Sequence, residues 1–228
     1  MAQDPNMAPM NQLPPVVWIL SLPIIAMELV LSAGERGIAG GPTAIGWRTA
    51  AIEDYGFVNA LFDRMVATGD VTGPALLRMV SYAFINLSFT STVFVIVFLL
   101  ALGNMVGRVF SGVAVVVIFL ASAFVGALAY GLLLNDAHVL IGGFPAVYGL
   151  IGAYTFVLWV NAAHLGESQY RAFTLIGFLL GIQLVFRLLF GGSNDWVADI
   201  AGFVTGFALS FVLVPGGWSR LRDRLRHR

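Results

Sequence analysis

The feature that most constrains this chain is a succession of long apolar runs, each near the length needed to cross a bilayer. A spanning helix needs about 20 mostly apolar residues. Six stretches meet or approach that length: 13–33, 79–102, 109–134, 139–160, 172–190 and 196–214. The first is interrupted by Pro23 and Glu28. Only 11% of the 228 residues are charged and 59% are hydrophobic. Soluble domains usually carry about 25% charged residues, so lipid is expected to cover much of the surface. We therefore expect an all-α membrane protein with one six-helix domain over 13–214. A short tail, 1–12, precedes it and an Arg-rich tail, 215–228, follows it.

Charge sets the expected orientation. All 12 basic residues are Arg. Arg220, Arg222, Arg224, Arg226 and Arg228 crowd the last nine positions. Directly after an apolar helix, such a run fits anionic lipid headgroups better than nucleic acid. With six spans, Arg108, Arg171 and this tail fall on one side, and Asp136 and Asp195 on the other. By the positive-inside rule both termini are then cytoplasmic. Met1–Pro15 has no basic residue, so the first run reads as a retained helix and not a cleaved signal. The simple ends suggest a bacterial inner membrane.

The long first connection, about 34–78, should not be structureless. Ile52, Phe57, Leu61, Phe62, Met65 and Val66 are spaced for short amphipathic helices at the membrane interface. Small residues mark expected helix contacts: Gly103 and Gly107, Gly149 and Gly152, Gly202 and Gly206.

A charge at bilayer depth costs about 2.5–3.5 kcal/mol on insertion scales. Glu28, Arg187 and Asp199 are the candidates. Arg187 and Asp199 flank one short loop and could pair. Alternatively, Arg187 snorkels to the interface and Asp199 meets loop water. Glu28 has no sequence-local partner, and either a buried hydrogen bond or an ion relay would account for it. Asn86, Ser91 and Asn161 read as interhelical hydrogen bonders. His138 and His164 are placed in loops. There is no Cys, which excludes disulfides and thiolate chemistry. No metal, nucleotide or haem motif is present, and no cofactor is expected.

Three segments together resemble the rhomboid intramembrane serine proteases: Leu76–Gly107, Leu140–Tyr154 and Phe186–Phe207. Their order and spacing are similar to the family's first-loop-to-second-helix segment, nucleophile helix and base helix. The resemblance implies a six-helix rhomboid bundle in which a Ser on the fourth helix is activated by a His on the sixth. A His and an Asn on the second helix would hold the oxyanion. Here the Ser position falls on Phe144, within Gly142-Gly143-Phe144-Pro145. The base falls on Asp199, and the oxyanion pair on Ser91 and Val95. Phe144 has no heteroatom to attack a carbonyl, Val95 has no donor, and Pro145 lacks an N–H. Scaffold positions that match are Arg78, Gly142, Gly149, Gly202 and Gly206. Arg78 stands for the Arg of the family's Trp-Arg pair, with Leu77 in place of Trp. Trp47-Arg48 lies too far from the second helix to be that pair.

The resemblance thus implies a pseudoprotease. Active members admit a substrate helix beside the second and fifth helices, so an inactive member could hold transmembrane helices of partner proteins by lateral contact. Three other readings stay open. One is an active endopeptidase using Ser88, Ser91 or Thr92 with Asp199, although a carboxylate is a weak base for a hydroxyl. The others are a structural subunit of a membrane complex and a small transporter.

Overall fold

A computed structural model describes residues 13–69, 73–134, 138–190 and 194–214; the side chains of 183–184 and 186–190 are not among those described. Nine α-helices occur among the described residues: α1 (Pro15–Glu35), α2 (Trp47–Tyr55), α3 (Asn59–Thr68), α4 (Gly73–Ser81), α5 (Phe89–Gly107), α6 (Gly112–Leu133), α7 (Phe144–Leu165), α8 (Thr174–Phe190) and α9 (Trp196–Leu213). Short 3-10 turns at Pro42–Gly46, Tyr82–Phe84 and Gln169–Phe173 link some of them.

Helix boundaries follow local chemistry. Pro15 opens α1, where a missing N–H is harmless. Ser88 and Ser111 cap α5 and α6, each hydroxyl accepting the backbone N–H three residues on at 3.2 Å. Gly166 ends α7 in the left-handed conformation, φ 70°.

α1, α5, α6, α7 and α9 are long and apolar enough to cross a membrane. α8 has 17 residues, is shorter than these five, and lies where the sequence places its fifth apolar run. The second membrane helix begins at Phe89, not at Met79 as its apolar run suggests. Met79–Leu87 instead completes α4, makes a 3-10 turn and extends at Ile85. Met79, Tyr82, Ala83 and Ile85 are buried inside the protein, so their hydropathy serves a packed core and not a lipid face. His164 lies in the last turn of α7 and not in a loop.

The first connection forms short helices as expected, with Ile52–Val66 divided between α2 and α3. The break is at Gly56, where a Cβ would come within 2.5 Å of both the Ile52 carbonyl oxygen and Val139 Cγ1. Phe57 then pairs with Leu140 in an isolated antiparallel bridge, with N–H···O distances of 3.1 and 2.9 Å. Asn59 Nδ2 donates to the Leu134 carbonyl at 2.6 Å. The first connection is therefore stitched to the chain entering α7.

α7 is the central helix, and its most extensive partner is α9. Pro145 through Ala153 are all buried, as expected for a helix apolar on every side. Glycines set how closely the helices approach. A Cβ on Gly202 would overlap the Pro145 carbonyl, and one on Gly206 the Gly149 carbonyl. One on Gly152 would overlap the Phe203 carbonyl. Farther along the same pair, Phe156 and Trp159 of α7 meet Phe207 and Phe211 of α9, with ring centroids 4.7–6.1 Å apart. Gly103 and Gly107 of α5 play the smaller-scale equivalent against Val17 and Pro14, each 3.0 Å from a notional Cβ.

Candidate functional site

The site is built around the turn that starts α7. Gly142 has φ +110°, a conformation that side chains rarely adopt. Its N–H donates to the Tyr82 carbonyl at 3.0 Å. The Gly143 N–H donates to Asn86 Oδ1 at 3.3 Å, and the Gly143 carbonyl accepts the first helical bond from Val147. Phe144 follows, half-buried, as the first residue of α7.

The residues singled out from sequence gather unevenly about this turn. Val95 is fully buried on α5, and its Cγ1 would lie 2.7 Å from a Cβ on Gly143. Ser91, one turn earlier, is half-buried and its N–H is taken by the Ser88 cap. Asp199 is buried in the first turn of α9, and Gly202 behind it seats on Pro145. The two helix starts meet at Gly126 of α6. A Cβ there would lie 3.0 Å from Pro145 Cβ, 3.1 Å from the Ala198 carbonyl and 3.3 Å from the Tyr82 hydroxyl. Burial, followed by the charges of Asp199 and Asp195, holds the Tyr82 phenol well above the ordinary tyrosine range. The phenol therefore stays neutral and donates to the Ala123 carbonyl at 2.8 Å. The suggested pairing of Arg187 with Asp199 falls on a side chain outside the described residues, as do Asp136 and the Arg-rich tail.

Two of the three hydroxyls considered as alternative nucleophiles, those of Ser88 and Thr92, are engaged in structural work. Ser88 caps α5. Thr92 Oγ1 donates to Glu28 Oε2 at 2.6 Å and lies 3.1 Å from the Ser88 carbonyl. At the start of α7 stand a phenyl ring and a proline, with no group able to attack a carbonyl. Arg78 braces the first connection, its Nη1 donating to the carbonyls of Glu53 at 2.6 Å and Gly56 at 3.2 Å.

Sequence reasoning missed the polar cluster centred on Arg48. Glu28 does have a partner, Arg48 of α2. Arg48 Nη1 and Nη2 reach the two Glu28 carboxylate oxygens at 3.1 and 2.8 Å. Nε and Nη2 reach the two Glu35 oxygens at 2.6 and 3.1 Å. Nη1 also donates to the Asn86 carbonyl at 2.8 Å, and Nη2 lies 3.3 Å from Ser32 Oγ. The hydrogen bonds to Glu28 outweigh burial and push the Arg48 pKa up, with Glu35 acting in the same direction. One signal was present: Glu28, Ser32 and Glu35 fall on one helical face at i, i+4 and i+7.

Comparison with known proteins agrees with this architecture. The family model for the rhomboid domain matches residues 74–216, more than half of the chain. A similar protein is RHOMBOID-like protein 4 of Arabidopsis thaliana, 30% identical over 128 residues. That match covers 55% of this chain and 32% of the relative, so the chain spans well under half of the relative's length. Apolar helices of spanning length, a glycine-tight pairing of α7 with α9 and the domain match converge: this chain is an integral membrane protein that belongs to the rhomboid family.

Proposed function

We propose that this chain is a rhomboid-family pseudoprotease that holds transmembrane helices of partner membrane proteins by lateral contact. The observation that carries the reading is Phe144 at the start of α7, where the family places its nucleophile. Val95 packed on Gly143 and Asn86 occupying the Gly143 N–H support it, because together they fill the space and consume a donor that an oxyanion would need.

In this reading α8 is the fifth of six spans, and α5 and α8 offer the lateral face. Phe89, Phe94 and Val97 of α5 and Phe178, Ile182 and Val185 of α8 are exposed apolar side chains. α8 meets the bundle core through buried Ile176 and half-buried Leu175, Leu179 and Leu180. A helix held along one stripe is suited to admit another beside it. Both termini are cytoplasmic, the Arg-rich tail lies on anionic headgroups, and the setting is a bacterial inner membrane.

The test has two arms on the purified protein and on its native membrane. Reconstituted with transmembrane peptides, the protein is expected to leave them uncut. A photo-crosslinker at Phe94 or Phe178 is expected to capture membrane proteins, and one at buried Ala127 is not. Cleavage that disappears on Asp199→Asn would overturn the inactive assignment. Crosslinks to lipid alone would overturn the holding role.

A further inference from the structure

The Arg48 cluster has an extent that packing alone does not require. Arg48 sits on the first extramembrane connection yet is only 6% exposed, and Glu28 only 5%. Every N–H of the guanidinium is within hydrogen-bonding reach of an acceptor. Those acceptors belong to α1 and to the segment entering α5. Thr92 closes the far side by donating to Glu28.

The cluster also continues in one direction. Asn86 accepts from Arg48 through its backbone carbonyl and from the Gly143 N–H through its side chain. Asn86 is 2% exposed and stands between the two. Beside it the turn's other amide, that of Gly142, is held by the Tyr82 carbonyl. An unbroken path therefore runs from Glu35 and Glu28 through Arg48 and Asn86 to the residue before Phe144.

We infer that Arg48 is a latch: it locks the first connection onto α1 and α5 and, through Asn86, fixes the Gly142–Gly143 turn, so that the loop and the start of α7 move as one unit. Arg48 and Asn86 are positioning residues in this arrangement. A guanidinium suits the task because its planar fork grips two carboxylates at once and still reaches a carbonyl. Releasing it leaves Asn86 bound to Gly143 alone, and the turn loses the anchor that ties it to α1. The inference holds whether or not the chain hydrolyses peptides.

The chain has no Cys, so single-cysteine labelling reports one position cleanly. Phe144→Cys reports on the turn, and Ala172→Cys, buried before α8, serves as the distant control. Thiol labelling is followed in detergent-solubilised full-length protein. Adding Arg48→Met is expected to raise the labelling rate at position 144 about tenfold by local opening, and to leave position 172 within about twofold. Asn86→Ala is expected to do the same at 144. Glu35→Gln removes one arm at the half-exposed end without stranding a buried charge, so it keeps the protein folded. It is expected to raise labelling at 144 about threefold. No rise at 144 with Glu35→Gln and Asn86→Ala, or an equal rise at 172, would overturn the latch.

Discussion

The α7–α9 seam and the Arg48 clasp hold the bundle by opposite means. At the seam, glycines remove side chains so that backbones touch; Gly202 sits on Pro145 and Gly206 on Gly149. At the clasp, side chains reach across a gap, joining α2 to α1 through ion pairs of 2.8 and 2.6 Å and to the segment entering α5 through a hydrogen bond of 2.8 Å. Lipid tails cannot compete for the first arrangement, because its energy is shape and dispersion. The second depends on its buried pair, because a charge left unpaired inside the protein has no water to turn to. The seam is thus intolerant of added atoms, and the clasp is intolerant of losing either member of its buried pair, Arg48 or Glu28.

The harshest way to break the comparison is Gly206→Val. The new side chain would have to displace the backbone of α7, and we expect destabilisation of about 4 kcal/mol or outright failure to fold. Unfolding by SDS titration in bicelles measures it. A loss below about 1 kcal/mol would mean that the seam can open and is not backbone-tight.

Next in size is Arg48→Met, which strands Glu28 and should cost about 3–5 kcal/mol. Arg48→Met combined with Glu28→Leu should recover at least half of that, because the pair leaves together. The melting temperature in detergent separates the two variants. If the double variant melts no higher than the single, the clasp is not a charge pairing.

The smallest effect is expected for Ser122→Ala. Ser122 Oγ is buried against Gly149 and has no hydrogen-bond partner among the described residues. Removing it should change stability by about 1 kcal/mol or less, towards greater stability. A large loss by the same SDS titration would show that the seam contains a polar contact and is less purely steric than described.

The two regions also differ in how far the sequence disclosed them. Gly202 and Gly206 were readable as a contact because a four-residue spacing puts small residues on one face of an apolar helix, where backbones can approach. The clasp was not readable. Glu28 and Arg48 are separated by the end of α1, a 3-10 turn and part of α2, and no local rule predicts that this path folds back. Trp47-Arg48 resembles a family motif only in residue type, and its guanidinium is the hub of the clasp. At the candidate site, the nature of the change was plain in sequence: Phe144 and Val95 carry no usable heteroatom. Their packing was not, since Asn86 read as an ordinary interhelical hydrogen bonder until the Gly143 N–H appeared on it.

Hydropathy misled in one instructive place. Met79–Leu87 is apolar enough to extend a membrane helix, yet it forms the end of α4 and a buried turn. An apolar run signals exclusion from water, and lipid and protein interior provide that equally well. The sequence by itself determined the membrane class, the approximate spans, the glycine contacts and the residue types at the family's catalytic positions. These follow from composition and from spacing along one helix, which are local properties. Only the tertiary structure decided where α5 begins, that the first connection is pinned to the chain entering α7, and that Glu28 is satisfied by Arg48. Those depend on which distant segments meet, and the polar groups buried there are tolerable only because the whole fold brings their partners within hydrogen-bonding distance.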